Sequence, residues 1–161
     1  KLKVLEIQKM HQTIKTAVVG DDIGFLVKSK NLTISPGMIV TNKLDYIKST
    51  KNIQIQIVNL NGMLISLDKT YILMCHNKES IASINTITLS KKHGKDTTKI
   101  NVNNLLLGEK GILNISFREP VIVTPYNIND IANKHLSSIA LLDNNTRELI
   151  AIGIVKSVKY K

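Results

Sequence analysis

Short apolar runs return about every ten residues along this chain, each bounded by Gly, Pro, Asn or Asp, and that rhythm leaves little room for anything but strands. Two phrases show it best. Val19-Gly20-Asp21-Asp22-Ile23-Gly24-Phe25 and Ser35-Pro36-Gly37-Met38-Ile39-Val40 each set a turn element directly before an apolar stretch. Gly tolerates positive φ and Pro presets φ near −65°, so both reverse the backbone. The runs that follow, Ile23 to Val27 and Met38 to Val40, are short and partly β-branched, and are predicted as strands.

Further strand signals lie at Leu2 to Ile7, Ile53 to Ile57, Tyr71 to His76, Ile81 to Leu89, Gly111 to Phe117, Val121 to Val123, Ser138 to Leu142 and Ile150 to Val158. Ile53-Gln54-Ile55-Gln56-Ile57 alternates strictly, as a strand with one wet face does. No window of helical length sustains a 3.6-residue period, and only Asn127 to His135 suggests a single helical turn. The predicted fold is all-β, built of antiparallel barrels: one complete C-terminal barrel preceded by part of another. Residues 43–52 are polar, lysine-rich and unpatterned, so they read as a linker between residues 1–42 and 53–161. The first segment carries about three strand signals, too few to close a barrel. Its first strands are therefore expected to precede Lys1.

The 161 residues carry a net charge of +10. Such a surface attracts polyanions, RNA or the ribosome among them; the plainer reading is that lysine simply fills exposed positions. Two Phe, four Tyr and no Trp are too few for a base-stacking platform. Lys9, Lys15, Lys28 and Lys30 in the first segment, and Lys91, Lys92, Lys95 and Lys99 in the second, sit in or beside turns and are the candidate RNA- or partner-binding residues. The lone Cys75 suits a reducing compartment, and neither a membrane span nor a signal-peptide profile is present, so a cytoplasmic location without membrane contact is expected.

Candidate chemistry is sparse. Asp21-Asp22-Ile23-Gly24 and Asn42-Lys43-Leu44-Asp45 imitate two guanine-nucleotide motifs. No Gly-X-X-X-X-Gly-Lys-Ser/Thr stretch precedes them to cradle phosphates, and the two lie far too close together for a strand–helix–strand path. Cys75 and His76 are neighbours on a strand and point to opposite faces, which rules against a shared metal. His11 and His93 lack thiol or acidic partners nearby, and no nucleophile elbow is present. No catalytic, cofactor-binding or metal residue is assigned, and this chain by itself is not expected to be an enzyme.

The phrases, taken in order, resemble the elongation factor 1-alpha group of translational GTPases. The first resembles that family's Pro-Gly-Asp-Asn-Val-Gly-Phe. Leu73-Met74-Cys75-His76 is similar to its Leu-Asp-Cys-His strand, Ser90-Lys91-Lys92-His93-Gly94-Lys95 to its Arg-Arg-Ser-Gly-Lys hairpin, and Leu105-Leu106-Leu107-Gly108-Glu109 to its Leu-Lys-Ser-Gly-Asp turn. Leu142-Asp143-Asn144-Asn145-Thr146 with Ile150-Ala151-Ile152-Gly153-Ile154-Val155-Lys156-Ser157-Val158 resembles its Arg-Asp…Thr-Val-Ala-Val-Gly-Val-Ile-Lys-Ser-Val ending. The likeness runs from Val4 to Val158.

The resemblance implies that residues 1–42 are the latter part of the second domain of such a factor and residues 53–161 its third. It implies a β-barrel region that grips tRNA or a tRNA-shaped protein factor at the ribosome, with GTP and magnesium held by the protein's own G domain upstream. Departures leave the cargo open. Ile7-Gln8-Lys9-Met10-His11 stands where many tRNA carriers have Val-Glu-Met-His, and Thr16 replaces a second carboxylate; in the carriers these acids flank the aminoacyl end. Leu136-Ser137-Ser138-Ile139 replaces Leu-Gly-Arg-Phe, losing an arginine that release-factor relatives use in partner contact. One alternative is thus a ribosome-rescue or termination GTPase carrying a tRNA-shaped protein, such as the partner of Pelota. Another is the GTPase subunit of sulfate adenylyltransferase, for which an acidic surface would be expected.

Overall fold

The structure, a computed structural model, describes residues 2–28, 33–35, 38–41, 49–76, 78–93, 96–129 and 134–159, with the side chains of 90–93 and 96–98 excepted. Among the described residues strand predominates and the single helix is four residues long, which makes the fold all-β. Two compact units divide the chain, Lys1–Met38 and Ile39–Lys161.

The first unit holds β1 (Lys3–Lys9), β2 (Gln12–Ile14) and β3 (Gly24–Lys28) in one antiparallel sheet, ordered β2-β1-β3. Lys9 pairs with Gln12, so Met10 and His11 form a two-residue hairpin loop. Both have positive φ, 49° and 64°. That is the primed turn that matches strand twist, made here without the usual Asn-Gly. The next turn follows the sequence reading: Asp21 N–H donates to Val18 O at 3.1 Å, and Gly20 takes φ 96°. Among the described residues none before Thr50 is buried. Met38 to Val40, predicted as a strand, is not one. Met38 N–H closes back on Ser35 O at 3.2 Å, and no strand pairs with these residues among those described. Three apolar residues cannot hold extended pairing without a partner edge. Pro36 and Gly37 lie outside the described residues.

The second unit contains β4 (Ser49–Asn59), β5 (Ile65–Ser66), β6 (Thr70–Cys75), β7 (Lys78–His93), β8 (Asp96–Val102), β9 (Asn104–Leu105), β10 (Lys110–Ile122), α1 (Lys134–Ser137), β11 (Ser138–Asp143) and β12 (Leu149–Lys159). Strands β10-β4-β12-β11-β6-β7 follow one another around the wall, and β7 pairs back onto β10 to close a six-stranded antiparallel barrel. Of the expected linker, residues 43–48 lie outside the described residues, whereas Ser49–Asn52 already belong to β4. They are strand because Ser49 and Thr50 pair with Ile122 and Val121 beyond an irregularity in β10.

Alternation places Ile53, Ile55 and Ile57 of β4 and Leu113, Ile115 and Phe117 of β10 inside. On β7 the inward set shifts from Ala82 and Ile84 to Ile87 and Leu89, because Asn85 is an extra residue against β10. A similar irregularity lets both Ile150 and Ala151 be buried at the start of β12. One end of the barrel is sealed by the small β5–β9 pair and by two polar side chains. Tyr71 Oη accepts from Ser66 N–H at 2.8 Å. Asn59, fully buried, donates through Nδ2 to Met63 O and Leu105 O, each at 3.0 Å, and accepts from Asn61 N–H at 3.2 Å.

The helical turn expected over Asn127 to His135 is met only at its end: residues 130–133 lie outside the described set, Asn127 to Asn129 are not helical, and among the described residues the short helix Lys134–Ser137 begins within that stretch and runs past it. Asn127 Oδ1 accepts its own chain's Asn129 N–H at 3.0 Å, a local bond that competes with helix initiation.

Candidate nucleic-acid interface

The eight candidate lysines divide between the two units. In the first, Lys9 ends β1 and its Nζ lies 2.5 Å from Asp21 Oδ1, while Val18 N–H binds Asp21 Oδ2 at 3.0 Å. The Lys9 hydrogen bond, then the Val18 amide, hold the Asp21 carboxyl below its usual range. Lys9 is thus a structural partner of the Gly20 turn, with its charge countered. Lys15 and Lys28 are exposed at the ends of β2 and β3, and Lys30 lies outside the described residues. In the second unit, Lys91 and Lys92 continue β7 opposite Thr98 and Thr97 of β8. Their side chains, and Lys95 altogether, lie outside the described set. Lys99 is exposed on β8, opposite Ser90.

The guanine-motif imitation at Asp21 does not fit a nucleotide–magnesium pair. Both oxygens of its carboxylate are already engaged by Lys9 and Val18. Asn42 to Asp45 lies outside the described residues.

Cys75 and His76 diverge, although not by the strand alternation expected, because β6 ends at Cys75 and His76 sits in the turn that follows. Cys75 is buried in the core, and burial pushes its thiol up to about 12. His76 has φ 54° and lines an outer depression with Met74, His135 and Ser138. Desolvation, followed by the proximity of His135, holds its pKa below 6.5, against a hydrogen bond that the ring donates to the Ile122 backbone, which acts the other way. Its Nε2 is out of reach of solvent and without a hydrogen-bond partner among the described residues. No group of three or more His, Cys, Asp or Glu side chains converges among the described residues. Nor is any described helix long and apolar enough to cross a membrane.

Motif residues in the second unit are explained by local geometry. Asp143 Oδ1 accepts from Asn145 and Thr146 N–H groups, each at 2.8 Å, which shapes the β11–β12 turn and holds the carboxyl below its usual range. The same turn gives Arg147 a φ of 61°, and its Nη2 reaches both oxygens of Glu79 on β7 at 2.7 Å. That ion pair joins residues 68 positions apart, and no local signal announces it. Gly153 has a different reason: a Cβ there would lie 2.1 Å from Gln56 O of the adjoining strand.

The second unit is thus a closed six-stranded antiparallel barrel that carries these turn phrases. Residues 52–156 match the profile of the GTP-eEF1A C-terminal domain-like family. The chain belongs to that family, the C-terminal domain of translation elongation factor-like GTPases. It is 26% identical over 161 residues to elongation factor 1-alpha of Onchocerca volvulus, covering 97% of this chain and 33% of that protein. Its fold is similar to Sup35 complexed with GDP, with a TM-score of 0.82 at 18% identity over 99% of this chain and 38% of that one. It is also similar to the apo form of translation elongation factor SelB from Methanococcus maripaludis, with a TM-score of 0.75 at 16% identity over 99% of this chain and 33% of that one. The chain spans a third of the length of the curated relative. The resemblance read from the sequence is borne out.

Proposed function

We propose that this chain is the tRNA- or partner-binding β-barrel region of an elongation factor 1-alpha-like translation factor acting at the ribosome. Family membership together with the +10 charge carries this reading. A rigid, lysine-bearing surface would grip a polyanion without bond chemistry, and GTP with magnesium would be held by an upstream G domain of the same protein. The lysines at the β7–β8 hairpin, Lys91, Lys92 and Lys95, would track phosphates. Reversing all three charges should weaken ribosome or RNA association and lower the slope of log K against log salt by about 2 to 3, near one unit per lost phosphate contact. Filter binding and ribosome co-sedimentation decide it. Unchanged affinity with an unchanged slope would show the hairpin to be passive.

A second cargo has a specific observation behind it. Gln8 stands where tRNA carriers place a carboxylate, and its Nε2 is turned onto Glu6 Oε1 at 2.9 Å, while Thr16 is exposed. A region without those acids suits a ribosome-rescue or termination factor that carries a tRNA-shaped protein. Competition between a charged tRNA and such a factor for the full-length protein separates the two.

A further inference from the structure

The turn between β4 and β5 holds the chain's one Asn-Gly step, Asn61-Gly62. An asparagine side-chain amide carbon and the backbone nitrogen of the next residue close a succinimide ring when they join. Two things usually prevent that closure in a folded chain: a hydrogen bond that holds the nitrogen, and a side chain on the following residue that bars the approach. Neither is present here. Gly62 N–H makes no hydrogen bond among the described residues. Gly62 is exposed and a Cβ on it would meet nothing within 4 Å, so the peptide can turn and water can reach it. The Asn61 amide is held only by long bonds, Nδ2 donating to Leu149 O at 3.4 Å and Oδ1 accepting from Met63 N–H at 3.3 Å. The Met63 amide thus faces the oxygen on which negative charge develops during attack, and stabilises it. The β11–β12 turn supplies the contrast. Asn144 is half-buried and Asn145 exposed, yet the nitrogens that would attack them, Asn145 N and Thr146 N, both donate to Asp143 Oδ1 at 2.8 Å.

We infer that Asn61 is a site of spontaneous deamidation in the native protein, and that its product loosens the end of the barrel. Gly62 N, its proton lost to hydroxide, attacks Asn61 Cγ. The Cγ–Nδ2 bond breaks and Nδ2 leaves as ammonia, taking a proton from water. Water then opens the succinimide. Cleavage between Gly62 N and Cγ gives aspartate, and cleavage between Gly62 N and the Asn61 backbone carbonyl carbon gives isoaspartate. The net change is one water consumed and one ammonia released, with no oxidation or reduction. Isoaspartate routes the main chain through Cβ and Cγ, which lengthens it by one methylene between Asn61 and Gly62. The fully buried Asn59 holds the chain on both sides of that point: Oδ1 accepts Asn61 N–H at 3.2 Å, and Nδ2 donates to Met63 O at 3.0 Å. A longer segment cannot keep both bonds without buckling, so a change at an exposed turn reaches the polar seal inside.

Ageing the intact chain at mildly alkaline pH, with and without urea, in ordinary and heavy-oxygen water, and mapping the products by peptide mass spectrometry, tests the site. Asn61 should deamidate in the native chain within about threefold of its rate in urea, as a position that needs no unfolding does. Asn144 and Asn145 should be slower than Asn61 in the native chain by about tenfold or more, their attacking nitrogens being engaged. Each event should take up one oxygen from water. Gly62→Ala, which the open space accommodates, should slow the reaction at Asn61 about tenfold, because the added Cβ restricts the backbone and crowds the nitrogen. The isoaspartate fraction, quantified with a protein isoaspartate methyltransferase and separated by its added negative charge, should melt a few degrees below the fresh chain. In Asn59→Ala, which already lacks the bracketing bonds, ageing should lower Tm less. Native Asn61 slower than in urea by about tenfold or more, or no faster than Asn144 and Asn145, would overturn the site. An isoaspartate fraction that melts with the fresh chain would overturn its link to Asn59.

Discussion

Adding a single methyl group at Gly153 should damage this barrel about as much as truncating a core side chain would. Gly153 lies on β12 between Ile139 of β11 and Ile57 of β4. An alanine Cβ there would sit 2.1 Å from Gln56 O, 2.6 Å from Ile57 Cγ2 and 2.9 Å from Gln56 C. Two of those three atoms are backbone, so no rotamer change relieves the clash; the β4–β12 ladder must spread by about an ångström, straining its hydrogen bonds. Overpacking costs about 1–3 kcal/mol, and the backbone contact places this case at the upper end, about 3 kcal/mol. The smaller entropy of the unfolded alanine chain returns less than about 1 kcal/mol. A net loss of about 2–3 kcal/mol should lower Tm by about 10 °C in a unit of this size. Scanning calorimetry and urea unfolding of Gly153→Ala read the loss directly. Gly62→Ala, where a Cβ meets nothing within 4 Å, is the control and should stay within about 0.5 kcal/mol of the parent. A Gly153→Ala protein as stable as that control would refute the close-approach account.

Asn59→Ala should cost about 1–3 kcal/mol, because Met63 O and Leu105 O lose a buried donor; denaturant titration measures it. Cys75 should resist a disulfide-exchange reagent at neutral pH and react only at the rate at which the barrel opens, since the buried thiol stays protonated; prompt stoichiometric labelling of the native chain would contradict this. For His76 the folded pKa lies below 6.5, so the unfolded chain binds the proton first. Stability should therefore fall as pH drops from about 7 through 6.5 toward the folded value, and His76→Asn, which suits the left-handed backbone, should flatten that fall in Tm against pH. Met10→Asn with His11→Gly should stabilise the β1–β2 hairpin by about 1–2 kcal/mol by removing left-handed strain, seen as slower amide exchange in β1.

The strands themselves were legible because each records its own environment. Ile53 to Ile57 alternates with one wet side, Gly20 permits the turn that Asp21 then caps, and Asp143 carries the acceptor its hairpin needs. Family membership was legible for the same reason, since turn residues are demanded locally by backbone conformation. Pairing is another matter. The return of β7 onto β10 closes the barrel, yet nothing in Ile81 to Leu89 names Gly111 to Phe117 as its neighbour. Asn85 looks like any strand asparagine until β10 leaves it unmatched and turns Ile87 and Leu89 inward. Asn59, read locally, is a polar residue ending a strand; its partners Met63 and Leu105 come together only when the end of the barrel closes. The row of Ser157, Gln54, Asn114 and Thr86 arises likewise, from residues of four separate strands. Sequence thus determined which segments extend and where they turn, because those choices are made by neighbouring atoms along the chain. Tertiary structure decided register, closure and which polar groups share a surface, because those depend on contacts between residues that the chain keeps far apart.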